Sequence, residues 1–119
     1  MKLIITGSCG HIGSYIADRM HLIPKIKQTI LIDNLGSNRH YSLFNLKKKN
    51  KLIFHQIDIS KKNSLDKFKN VNYLIHCASM TNAEKSFSNE REMYRNNINC
   101  LKTVIKYCKK NKIKLIHLS

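Results

Sequence analysis

The sequence predicts an α/β fold, a doubly wound parallel sheet of about five strands, on three observations. Short apolar runs alternate with helical patterns through all 119 residues. The runs are mostly continuous rather than alternating, as strands covered on both faces require. Three of the four glycines stand together directly after the first run.

The five runs are Leu3-Ile4-Ile5, Thr29-Ile30-Leu31-Ile32, Leu52-Ile53-Phe54, Tyr73-Leu74-Ile75 and Leu115-Ile116-His117-Leu118. Between them, helices are expected near residues 11–22, 40–47, 60–69 and 86–111. The first stops before Pro24, the only proline, which cannot continue a helix. Ser60 reads as the N-cap of the third, its hydroxyl accepting an orphan backbone N–H. In the fourth, Tyr94, Ile98, Leu101, Ile105 and Cys108 recur at spacings of 4, 3, 4 and 3, which puts them on one face. Strand and helix in strict alternation imply parallel strands with right-handed crossovers. There is no linker, repeat or second domain, so residues 1–119 read as one domain.

Composition narrows the class. A hydrophobic fraction of 42% is ordinary for a globular chain and excludes disorder. No apolar run approaches the roughly 20 residues that span a bilayer. Met1-Lys2-Leu3-Ile4-Ile5-Thr6-Gly7 is too short a run for a secretory signal, so a cytoplasmic location is expected. Cys9, Cys77, Cys100 and Cys108 show no C-x-x-C spacing and read as reduced thiols, neither zinc ligands nor a disulfide framework. The net charge of +15 raises a nucleic-acid reading. Yet Lys47-Lys48-Lys49, Lys61-Lys62, Lys109-Lys110, Lys112 and Lys114 lie spread along the chain at element ends and loops, without interleaved aromatics. That pattern reads as a solvated surface with weak, salt-sensitive attraction to polyanions, not as a specific nucleic-acid site.

The chemistry is concentrated in Thr6-Gly7-Ser8-Cys9-Gly10-His11-Ile12-Gly13. Glycines here permit a tight turn out of the strand, backbone approach to a pyrophosphate, and close packing of helix on sheet. The helix N-terminus then offers N–H groups and a positive dipole end to phosphates. The G-x-x-G-x-x-G spacing departs from the common G-x-G-x-x-G fingerprint, and no Lys-Ser/Thr pair follows as in a P-loop. Strand before and helix after make the context Rossmann-type, with a dinucleotide as the expected ligand.

Asp33 ends the second strand twenty residues after Gly13, placed to accept from both adenosine ribose hydroxyls. A carboxylate there repels a 2′-phosphate and favours NAD over NADP, though Arg39 lies in the same loop. Asn34 can add a hydrogen bond. Asp58, after the third strand, is placed either to accept from the adenine amino group or to act as a helix-capping Asp before Ser60.

On these residues the chain resembles the extended short-chain dehydrogenase/reductases, and among them the NAD-dependent nucleotide-sugar epimerase/dehydratase group typified by UDP-glucose 4-epimerase. The matching segments run in order over the whole chain: the glycine loop, Asp33-Asn34-Leu35, Asp58-Ile59, His76-Cys77-Ala78-Ser79, Tyr94-Arg95-Asn96-Asn97-Ile98, and the last strand leading into Ser119. The resemblance implies NAD as cofactor. It implies that Gly7, Gly10, His11, Ile12 and Gly13 meet the pyrophosphate, His11 and Ile12 through backbone. Asp33, Asn34, Leu35, Gly36, Ser37 and Asn38 would border the ribose, and Asp58 and Ile59 the adenine. Cys77, Ala78 and Ser79, with Thr81 nearby, would line the path toward the nicotinamide, while Asn96 or Asn97 steadies the end of strand four. Thr81 stands where epimerases commonly carry a lysine, which weighs against a strict galactose epimerase. Cys100-Leu101 stands where a Gly-Thr pair usually follows.

The family's catalytic Ser/Thr lies just beyond the fifth strand, and its Tyr-x-x-x-Lys further along. Ser119 falls at the start of the Ser/Thr cluster, and none of the five tyrosines is followed by lysine at the fourth position. The expectation is therefore an amino-terminal NAD-binding portion, truncated before the remaining strands and inactive alone. It would take a nucleotide-sugar substrate only with a carboxyl-terminal half supplied. The alternatives are a stand-alone, non-catalytic NAD-binding module and a basic nucleic-acid-binding protein.

Overall fold

The computed structural model describes residues 1–36, 52–78 and 90–118. The expected helix at 40–47 lies outside them. Each apolar run forms a strand: β1 (Lys2–Thr6), β2 (Gln28–Asp33), β3 (Leu52–Gln56), β4 (Tyr73–His76) and β5 (Lys114–His117). All neighbours are parallel, in the order β3-β2-β1-β4-β5. β1, the most apolar, is central; its residues 3–6 are all buried. Because consecutive strands leave β1 first on one side and then on the other, a crevice opens at the carboxyl ends of β1 and β4.

The sheet is covered on both faces. On one, α1 (His11–Arg19) and a 3-10 turn (Met20–Leu22) set Ala17 and Met20 against Leu3, Ile5, Leu31 and Ile75. On the other, α2 (Glu90–Asn111) packs Cys100, Val104, Tyr107 and Cys108 over Ile4, Ile30, Ile32 and Leu74. Successive residues of β1 thus serve opposite layers, the period-2 geometry of a strand.

Two expectations are corrected. Residues 60–69 are a run of turns, not a helix. Ser60 does not cap; it donates, with both N–H (3.0 Å) and Oγ (2.6 Å), to Asp58 Oδ1. Asn63 and Asn70 sit at φ +62° and +60°, a left-handed conformation that interrupts helix. The turns still deliver Leu65 and Phe68 to the core. In α2 the buried face is Cys100, Thr103, Val104, Tyr107 and Cys108. Tyr94 and Ile105, from the expected face, are 67% and 47% exposed. Two apolar ridges run along this helix, and the sheet takes the one with the smaller side chains at 100 and 104.

Candidate functional site

Parallel strands bring every strand-end residue to one edge of the sheet. The glycine loop leaves β1 through Gly7 at φ +71°, a conformation open to glycine at no steric cost. A Cβ on Gly7 would also stand 2.7 Å from the Ala78 backbone nitrogen, so the loop and the segment after β4 touch. The loop is tied down by Ser8 N–H to Ile32 O (3.1 Å) and Gly10 N–H to Gly7 O (3.1 Å). At Gly13 a Cβ would lie 2.1 Å from Gly7 O, so this glycine lets α1 pack on the loop.

Gly10 differs from both. Its φ is an ordinary −73°, and among the described residues a Cβ there would meet only Gly7 O, at 3.4 Å. Among the described residues nothing demands a glycine here, and the missing side chain leaves open space in front of the first turn of α1. That turn carries no acidic residue and, among the described residues, no side-chain cap, so its N–H groups and positive dipole end favour an anion.

Asp33 stands at the end of β2, on one side of the crevice. Its Oδ2 accepts from Cys9 N–H (3.0 Å) and its Oδ1 from Leu35 N–H (2.8 Å). The carboxylate therefore binds the glycine loop to the end of β2. Asn34 Oδ1 accepts from Gly36 N–H (2.8 Å), and Leu35 adopts φ +62°, so residues 33–36 form a tight reversal beside the loop. Asp58 lies at the next strand end, with Oδ1 held by Ser60. Ile59 is 5% exposed and packs in the core with Leu65 and Ile4, which leaves only its backbone for the crevice.

On the other side, Cys77 and Ala78 are half-buried, and Cys77 N–H continues the ladder to Thr6 O (3.0 Å). Burial pushes the Cys77 thiol up to about 11, so it stays protonated at neutral pH. Beneath them His76 Nδ1 meets Thr6 Oγ1, and burial followed by the nearby His117 lowers His76 to about 4. This buried polar pair under the site escaped the sequence reading. Its only signal was a threonine and a histidine at the ends of two apolar runs. Asn96 and Asn97 lie in the second turn of α2, half-buried, Asn96 Nδ2 donating to Cys100 Sγ at 3.8 Å. Ser37, Asn38, Ser79, Thr81 and Ser119 lie outside the described residues. Cys9, Cys77, Cys100 and Cys108 form no disulfide. Among the described residues, no group of three or more metal-ligating side chains gathers, and no helix is long and apolar enough to cross a membrane.

Known proteins resemble this chain in sequence and in fold. The chain is 29% identical over 117 residues to the UDP-glucose 4-epimerase uge1 of Schizosaccharomyces pombe, a match covering 94% of this chain and 32% of that protein. It therefore spans about a third of that relative's length. Among solved structures, the dTDP-glucose 4,6-dehydratase DesIV of Streptomyces venezuelae, with NAD and TYD bound, superposes with a TM-score of 0.84 at 20% identity, over 98% of this chain and 38% of that one. The UDP-glucose 4-epimerase of Bifidobacterium longum, in complex with NAD+ and UDP, gives 0.79 at 21% identity, over 100% and 37%. The L-threonine dehydrogenase of Clostridium difficile gives 0.72 at 24%, over 98% and 35%. At these identities the superpositions show a common fold. The model of the NAD dependent epimerase/dehydratase family matches residues 3–119, and the chain belongs to that family.

Proposed function

We propose that this chain supplies the NAD-binding portion of a nucleotide-sugar epimerase or dehydratase. The single observation that carries the reading is Gly10. Among the described residues it is a glycine without an internal reason, and it keeps open the space before a helix N-terminus that has no side-chain cap. A pyrophosphate fits that space, since backbone N–H groups and the helix dipole favour an anion there. The adenosine ribose would lie against Asp33, and the adenine beside Asp58. The nicotinamide half would lie along Cys77 and Ala78 on the far side of β1. Asp33 rejects a phosphorylated ribose by charge, which favours NAD over NADP.

NAD bound there supplies a reversible hydride acceptor. This chain's own residues bind it, orient it and exclude water along the strand ends. The family's reaction is completed by acid/base groups, a Ser/Thr and a Tyr-x-x-x-Lys, and none of the five tyrosines here is followed by lysine at the fourth position. In this reading those groups come from further sequence, together with the region that grips the nucleotide sugar.

The test is calorimetric titration of the purified protein with NAD and NADP. NAD should bind, and NADP more weakly. Asp33→Ala and Gly10→Ala should each lose about tenfold in NAD affinity, the equivalent of one charge-assisted hydrogen bond, while remaining folded. A folded protein that ignores millimolar NAD overturns the proposal.

A further inference from the structure

A second concave site lies away from the strand ends, between α2 and the turns that follow β3. It is a cavity of about 250 Å³. Lys102, Lys106 and Lys110 line it from α2, and Lys62 faces them from the turns. Three lysines at four-residue spacing stand on one helix face, about 6 Å apart along the axis. Like charges at that spacing repel and weaken a helix. The residues that line it include four lysines and one carboxylate, Asp66. Among the described residues, none of these lysines is in ion-pair contact with a carboxylate.

Lys106 Nζ donates to Asn63 Oδ1 across the groove at 3.3 Å. The Tyr107 ring, 2% exposed, forms part of the lining, and its hydroxyl donates to Phe68 O at 2.7 Å. A concave site lined by four lysines, with side-chain amide and hydroxyl groups between them, is suited to a compact, multiply charged anion. Lysine recognises phosphate as a point charge, without demanding a fixed orientation.

We propose that this groove is an anion site for a compact polyphosphate group, such as the di- or triphosphate of a nucleotide, separate from the glycine loop. Its concavity and the absence of an exposed aromatic ring from the lining favour such a ligand over single-stranded nucleic acid, which binds through stacking platforms along an open groove.

The probe is inorganic tripolyphosphate, titrated at low salt into the purified protein. Binding should be observed, and Lys102→Gln, Lys106→Gln and Lys110→Gln should each weaken it about tenfold. Lys109→Gln, on α2 but outside the groove, should leave it unchanged. Circular dichroism of the exposed lysine variants should match the parent. Indifference of binding to the three groove lysines overturns the proposal. No binding of tripolyphosphate, with a DNA oligonucleotide bound through the same lysines, overturns it in favour of a nucleic-acid surface. Because NAD takes no part in the titration, failure here and failure of the NAD reading are separable.

Discussion

Thr6 Oγ1 and His76 Nδ1 lie 2.7 Å apart, buried, where β1 and β4 end in register. The imidazole also stacks on His117, with ring centroids 5.4 Å apart. Burial foremost, and His117 second, hold His76 at about 4 against an ordinary 6.5. The native state therefore leaves His76 neutral where the unfolded chain protonates it. Stability from this group is fully present above pH 6.5 and is lost as the pH falls toward 4, by up to about 3 kcal/mol. Urea unfolding at pH 7 and pH 4.5 should show the loss, and His76→Gln should flatten it. An equal acid loss in the variant would assign the effect to other groups.

The two glycines that flank the first turn of α1 should behave in opposite ways. A Cβ at Gly13 meets backbone only, at 2.1 Å from Gly7 O and 2.9 Å from Gly7 C. Neither atom can rotate aside, so Gly13→Ala should cost about 3 kcal/mol or more. Gly10→Ala should stay within about 0.5 kcal/mol of the parent. Thermal melts of the two variants make the comparison, and a Gly10→Ala chain as unstable as Gly13→Ala would show a structural need for glycine at 10.

Thr29 Oγ1 and Ser8 Oγ are buried and find no hydrogen-bond partner among the described residues. A buried hydroxyl left unpaired costs about 1–3 kcal/mol. Thr29→Val keeps the shape of the side chain and removes that cost, so it should raise the melting temperature by a few degrees. A fall instead would mean that the hydroxyl finds a partner in solution.

Tyr107 should be the reverse case. Its hydroxyl donates to Phe68 O within the core, and burial foremost raises its titration to about 12. Tyr107→Phe leaves that carbonyl unpaired at a cost of about 1–2 kcal/mol. Chemical denaturation reads it directly, and no loss would indicate that water replaces the phenol.

Much of this was legible in residue order. Five apolar runs became five strands, because a run buried on both faces has little else to form. The glycine loop and Asp33 came together because parallel strands bring their carboxyl ends to one edge. Residues 60–69 misled because an Asp-x-Ser turn and two asparagines in left-handed conformation outweighed local helical pattern. The orientation of α2 was ambiguous in one dimension. A ridge through Cys100 and Val104 is as regular as one through Leu101 and Ile105, and the choice depends on the shape of the sheet beneath. The Asp33 bond to Cys9 N–H was not readable either, since it depends on how two strand ends lie after pairing.

The strand order has a consequence in time. β1, among the first residues of the chain, is central, and one of its two partners is β4, reached only after a separation of 70 residues. Local contacts cannot substitute for that pairing, and closing so long a loop consumes chain entropy before it returns any burial. While the chain is being made, β1 can pair with β2 but keeps its other edge open until β4 emerges. Through that interval an apolar strand waits with unpaired amides, so the speed of synthesis between residues 33 and 76 governs how long the nascent chain is exposed to association with its neighbours.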